Sequence, residues 1–447
     1  MQYSFCLYLL IGLPRKMLIQ FRAENYRSLR DEQELSFVAS NLEESAGKTV
    51  PILGGNKKLL CAAAIYGGNA AGKSNVLHAF GFMVNAILHS HSRWEGREGV
   101  PSQPFLFDTV SIKKPSRFEI NFLVNGVRYI YGFSMDRKIV VEETLYAYPM
   151  GKQQLWFERN AARDPQFNFG KKLIGEIRTI EKLTRPNSLF LSAAAQNNHP
   201  QLSPIHEWFS DQVISFSSSH RDPRTTINNI EKKELSVTDL MKFLKFADLG
   251  VSDIELTDED DESKKFSTEF RAAITEFFKS RGDENIAEMF SSVSPSKKIK
   301  LLHSGYSNKN FPIEFGAESH GTQTLFSLIG PIMDKIRNGG VILIDELENG
   351  MHPHLARQLV RIFNSSDTNT KNAQLIFTTH STNLLREGEL RRDQIWLTEK
   401  DLKGATHLYP LTDFKPRKSE NIERGYLQGR YGAVPYLGDV GFINSKG

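Results

Sequence analysis

The chain has 447 residues, 40% apolar and 24% charged, the balance of a globular protein with chain enough for more than one folding unit. With 32 Gly, 18 Pro and 2 Cys it is neither collagen-like, disordered nor a disulfide scaffold, and Cys6 and Cys61 alone make no structural zinc site. The 56 basic residues against 52 acidic ones leave +4, too small a surplus to imply nucleic acid by itself. Two cysteines fit a reducing cytoplasm, and no apolar run reaches the ~20 residues of a membrane span. Tyr3 to Leu13 comes nearest, but Arg15 and Lys16 follow the run where a signal peptide has its basic residues in front. A patterned strand opens at Met17, so residues 1–16 read as an upstream-start extension.

Leu18 to Phe21 and Glu34 to Ala39 pattern as paired strands, and Leu60 to Tyr66 is a continuous apolar run, as in a strand buried on both faces. A Gly-rich turn and a helix over about 73–90 follow. From Arg117 to Phe157 the period is two, and Asn125-Gly126 marks a hairpin inside an antiparallel meander of three or four strands. Residues 171–300 are less regular, with helical patterns at 171–184, 203–210, 236–247 and 267–279, and the acidic run Asp258 to Glu262 reads as a solvated loop. From Gly340 a strand, a helix at Pro353 to Phe363 and a second strand at Gln374 to Phe377 predict a parallel α/β sheet.

Gly67-Gly68-Asn69-Ala70-Ala71-Gly72-Lys73-Ser74 matches G-x-x-x-x-G-K-[ST], with a buried strand running in and a helix running out. The loop amides and helix start suit phosphate, with Gly67, Asn69, Gly72 and Asn75 around the nucleotide. Lys73 is expected between the β- and γ-phosphates of ATP, and Ser74 on Mg²⁺. Val341 to Ile344 ends in Asp345-Glu346, which puts two carboxylates at the edge where α/β ligands bind. Asp345 is expected on Mg²⁺ and Glu346 as the base for the attacking water. His380, at the end of the next strand, is expected near the γ-phosphate.

Together these motifs resemble the ABC-type ATPase fold, whose relatives include the SMC, Rad50 and OLD proteins. The fold class expected is α/β, a P-loop NTPase with a mixed or parallel core sheet, an antiparallel β-meander and a helical insertion. Glu318 to Gln323 resembles the S-x-G-x-Q signature, which implies that Ser319 and Gly321 meet the nucleotide of a partner subunit. Ser188 to Ser192 reads as a strand ending near Gln196, which resembles the Q-loop glutamine that senses Mg²⁺ and water. The expected division is an extension at 1–16, an N-lobe at 17–170, a helical insertion at 171–310 and a C-lobe at 311–447.

More narrowly, MLIQFRAENYRSLRDEQELSFVAS, DELENGMHPHLARQL, RRDQIWLTEKD and YLQGRYGAVPYLG resemble the AAA15/AAA21 ATPases of the RloA/AbiL kind, over residues 17–440. That resemblance implies an ATPase of an anti-phage defence system, self-associating with ATP, beside an RloB-like nuclease-type effector. No C-x-x-C hook or long coiled coil stands in the middle, and too short a stretch follows His380 for a Toprim domain, so no nuclease is expected in the chain. A DNA-binding repair ATPase is the alternative, so DNA is a possible partner; a membrane is not expected. Residues 421–438 lie beyond the nucleotide core, and Tyr426, Arg430 and Tyr431 are expected to anchor a partner there.

Overall fold

A computed structural model describes residues 16–435, apart from 45, 53–55, 96–98, 218, 220–221, 258–267, 271, 277–296, 307–308 and 387. The apolar run from Tyr3, the acidic run Asp258 to Glu262, and parts of 267–279 and 421–438 lie outside the described residues. In chain order the first ten strands are β1 (Lys16–Glu24), β2 (Gln33–Ser36), β3 (Thr49–Pro51), β4 (Lys58–Leu60), β5 (Ala62–Gly67), β6 (Ser116–Val124), β7 (Val127–Met135), β8 (Val140–Tyr148), β9 (Gln154–Asn160) and β10 (Phe167–Phe169). Then come β11 (Val213–Phe216), β12 (Val251–Thr257), β13 (Lys298–Ser304), β14 (Asn310–Glu314), β15 (Val341–Ile344), β16 (Gln374–Thr378), β17 (Ile395–Lys400) and β18 (Thr406–Pro410). The chain forms two compact units, one of Met1–Ser218, Lys335–Glu348 and Ala356–Gly447, the other of Ser219–Asp334 and Asn349–Leu355.

The first unit holds two large sheets. An antiparallel sheet runs β10-β9-β8-β7-β6-β1-β2: the expected meander is its four strands β6 to β9, which β10 extends at one edge and β1 and β2 at the other through long-range pairing. The hairpin turn is Asn125-Gly126, both with φ positive (51° and 81°), as a type I′ turn needs. A six-stranded sheet runs β11-β15-β16-β5-β17-β18, parallel except at β18. Every residue of β5, β15 and β16 is buried, which is why they read as continuous apolar runs. The helix Lys73–His89 buries Val76, Leu77, Phe80, Met83 and Ile87, with Phe80 4.7 Å from Phe21.

Ser188 to Ser192 is not a strand. Its apolar residues start the helix Phe190–Gln196. The cause is a buried carboxylate on β8: Glu143 accepts the amides of Phe190 (2.7 Å) and Leu191 (3.0 Å). Two orphan N–H groups of a helix start are thereby satisfied, and the local strand pattern is overridden.

The expected helical insertion is not all helical, since β11, β12 and β13 fall within 171–310. β11 is an edge of the six-stranded sheet, whereas β12-β13-β14 form an antiparallel sheet in the second unit. Helices Arg224–Glu231 and Val237–Phe246 and the first part of His320–Asn338 pack with that sheet around Ile227, Leu240, Leu244, Leu301 and Phe326. Pro331 sits inside the last helix and leaves the Ser327 carbonyl without its usual amide. The Thr226 hydroxyl bridges the turn beside it, accepting the Gly330 amide at 3.2 Å and donating to Phe326 O at 2.8 Å, with Ser327 O farther at 3.4 Å.

The described part of the last segment, up to residue 435, is packed. Tyr426 lies on the short helix Ile422–Leu427 and is 7% exposed; Tyr431 is 1% exposed. Tyr426 donates to Ala433 O (3.1 Å) and Tyr431 to Glu420 (2.5 Å), which also takes Arg430. Burial spends both tyrosines inside the unit, so they are not the partner anchors their composition suggests.

Candidate active site

β5 delivers the glycine-rich loop to the C-terminal edge of the parallel sheet, where ligands of such sheets bind. Lys73 folds back over the loop, and its Nζ donates to Gly67 O and Gly68 O, both at 3.0 Å. Burial lowers its pKa, against the nearby carboxylates of Glu346, Asp345 and Glu348, which raise it. Gly72 caps the helix with φ 101°, a conformation that favours glycine. A Cβ there would lie 2.0 Å from the Thr406 hydroxyl, and one at Gly67 2.3 Å from that of Thr398. The β17–β18 hairpin is thus a wall set hard against the loop. Thr398 donates to Tyr66 O and Thr406 to Ala71 O, each at 3.0 Å, while Asn75 donates to Ser28 (2.6 Å).

Asp345 follows β15, and its Oδ1 accepts two hydroxyls, from Ser74 at 3.0 Å and Thr378 at 2.7 Å. Thr378 in turn accepts the Glu346 amide at 2.7 Å. Glu346 holds a left-handed backbone, φ 54°, a sparsely populated conformation of the kind found at functional sites. His380 follows β16, and its amide is held by the Glu348 carboxylate, which also accepts the Thr379 hydroxyl.

These elements leave an open cleft of about 420 Å³ lined by Asn69 to Asn75, Glu346, His380 and Lys400. Asn69, Gly72, Lys73, Ser74, Asn75, Glu346 and His380 therefore meet at one place, with Gly67 and Asp345 bonded to its walls. Ser74 and Asp345 offer two hard oxygens, which fits Mg²⁺, an ion that takes one or two protein ligands and completes its shell with phosphate and water. Among the described residues no cluster of three or more His, Cys, Asp or Glu could hold a metal by itself.

Gln196 is not brought to the cleft. It is exposed at the end of its helix, whose Ser192 accepts the amide of His91, just past the far end of Lys73–His89. That helix has 17 residues, which separates its ends by roughly 25 Å at 1.5 Å per residue.

Ser319 and Gly321 belong to the second unit. Ser319 is exposed and caps the helix His320–Asn338, its Oγ accepting the Thr322 amide at 3.2 Å. Gln323 ties down the preceding turn through Phe315 O and Glu318 O, both at 3.0 Å. A Cβ on Gly321 would lie 2.3 Å from Gly350 O, so only glycine fits.

Sequence reasoning missed Thr378, Glu348, Lys400, Thr398 and Thr406. For Thr378 and Glu348 a signal was present, since both stand within three residues of a predicted site residue on the same edge. The threonines of β17 and β18 carry no local mark of their contact with a loop more than 300 residues earlier.

Among the described residues no helix is long and apolar enough to cross a membrane. Among solved structures the chain is similar to the SMC head domain from Thermotoga maritima, at 12% identity and TM-score 0.36, over 88% of this chain and 98% of that one. No curated protein matches it. A family model described as "AAA domain, putative AbiEii toxin, Type IV TA system" matches residues 62–386. The match takes in the phosphate loop, Asp345, Glu346 and His380, on a mixed α/β fold of the P-loop NTPase class. The chain belongs to this family, AAA_21, and carries its ATPase domain.

Proposed function

We propose that the chain is an Mg²⁺-dependent ATPase of the RloA/AbiL-like kind that works as the cytoplasmic regulatory subunit of an anti-phage system and controls a separate nuclease-type effector. The observation that carries the ATPase reading is the bonded set Ser74–Asp345–Thr378–Glu346 at the mouth of the loop that holds Lys73. The family's description as a toxin of a type IV toxin–antitoxin system supports the partnered part of the reading.

Ser74 and Asp345 would hold the magnesium ion, which would neutralise phosphate charge when bound. Lys73 exchanges its loop carbonyls for phosphate oxygens. Glu346, which lines the cleft, takes the proton of the attacking water, and His380 hydrogen-bonds the terminal phosphate. Ser319 and the start of its helix serve the nucleotide of a second copy, which gives two composite sites related by a two-fold axis. Gln196 has no place in this reading.

Phosphate release from ATP by the wild type, Lys73→Ala and Glu346→Gln, with and without magnesium, tests the chemistry. Turnover by the wild type alone, and only with magnesium, is expected. Release that survives Lys73→Ala would place the chemistry elsewhere. Co-purification with the product of the neighbouring reading frame tests the effector.

A further inference from the structure

Lys400 lines the cleft and has no part in the reading above. It ends β17, and that strand pairs with β5 so that Thr398 stands opposite Gly67. Lys400 therefore lies two residues past the register of the first loop glycine. The sheet order puts it on the opposite side of β5 from β15, which carries Asp345.

Its position is fixed. The residue across from Lys400 in the hairpin is Thr406, whose hydroxyl donates to Ala71 O and whose amide donates to Ser28 O at 2.7 Å. With Gly67 and Gly72 touching Thr398 and Thr406, the hairpin has no room to slide.

Its charge is also unspent. Lys400 is exposed, and among the described residues it makes no ion pair. The neighbouring Asp401 is occupied within its own turn, with Oδ1 accepting the amides of Lys403 (2.9 Å) and Ala405 (2.8 Å) and Oδ2 facing His407 at 3.4 Å. The cleft thus has a buried ammonium bonded to the loop and a second, free ammonium on the wall away from the carboxylates.

We propose that Lys400 is a phosphate ligand of the bound nucleotide, acting on the side of the phosphate chain away from Ser74 and Asp345. This rests on the reading of the cleft as the ATP site. An ammonium on a flexible stem is a point charge, and its bond to a phosphate oxygen is charge-assisted.

Calorimetric titration of ATP and of inorganic tripolyphosphate into the wild type, Lys400→Gln, Lys400→Arg and Lys73→Ala tests it. Lys400→Gln should weaken both ligands about tenfold. Lys400→Arg should stay within about threefold, and the melting temperature without ligand should not move, since the side chain is exposed. Wild-type protein that binds no ATP overturns the reading of the cleft itself. Wild-type protein that binds ATP, with Lys400→Gln binding it equally, overturns the role of Lys400 alone. Loss of ATP without loss of tripolyphosphate puts Lys400 on the nucleoside and overturns the phosphate assignment.

Discussion

Glu348 holds the backbone of His380. Its Oε1 accepts the His380 amide at 2.5 Å while Oε2 accepts the Thr379 hydroxyl at 2.7 Å. Glu348 stands two residues past Glu346, so one short segment supplies both the proposed base and the clamp on the proposed phosphate-sensing histidine. Glu348→Ala should cut kcat roughly tenfold or more while ATP affinity stays within about threefold, because misplacing a reacting group costs rate more than binding. Steady-state phosphate release beside ATP titration checks this; an equal loss of affinity would make Glu348 a support of the loop.

Glu346→Gln keeps the shape and removes the proposed base. ATP should stay trapped and a dimer should accumulate in light scattering with Mg-ATP, with turnover down about 10²-fold or more. Ser319→Arg should bind ATP normally but neither dimerise nor turn over. Wild-type turnover in Glu346→Gln would remove Glu346 from the chemistry.

Gly72→Ala sets a Cβ 2.0 Å from the Thr406 hydroxyl on a backbone at φ 101°. The hairpin wall must move, and ATP binding should be lost in calorimetry even where the protein still folds. Normal ATP affinity would show that the wall yields at no cost.

The C-terminal tyrosines make a stability prediction. Tyr426 meets Tyr66 edge-on at 5.7 Å between ring centroids, and Pro435 lies 3.4 Å from where a Gly68 Cβ would be. Tyr66 also donates to Ser381 O (3.2 Å), beside His380. Tyr431→Ala, at a fully buried aromatic, should cost about 3–5 kcal/mol of unfolding free energy in urea titration. Truncation after Ser419 should lower both stability and nucleotide affinity. A truncated protein with wild-type melting and ATPase would restore the interface reading.

His89, His91, His199 and His206 all have pKa values lowered first by burial. A depressed histidine contributes stability that is present above its unfolded value near 6.5 and is lost as pH falls below it, because the unfolded chain then binds more protons. The melting temperature should therefore fall between pH 7 and pH 5.5. His91→Asn should flatten part of that fall; an unchanged slope would mean that His91 is protonated without cost.

The nucleotide edge was legible because parallel strands buried on both faces write continuous apolar runs, and the polar residues that end them stand out: Lys73 after β5, Asp345 after β15, His380 after β16. Ser188 to Ser192 was misread because its conformation is set by Glu143, 47 residues before Phe190. The tail was misread because exposed and buried tyrosines look alike in a sequence; the groove that takes Tyr426 and Tyr431 is built by Tyr66, Tyr409 and Phe414. Lys400 stayed hidden for the same reason, since its neighbour in space is β5.

β5 has β16 on one side and β17 on the other, and both are made more than 300 residues after it. A ribosome therefore releases the complete G-x-x-x-x-G-K-S motif long before the walls that shape it exist. Through most of synthesis the motif is an unpaired apolar strand with a loose end, open to wrong pairing. Closing the sheet needs two very long loops, which makes assembly of the cleft a late and slow event. A fragment ending before Ile395 would carry every hallmark of the motif without the β17–β18 wall that packs on Gly67 and Gly72.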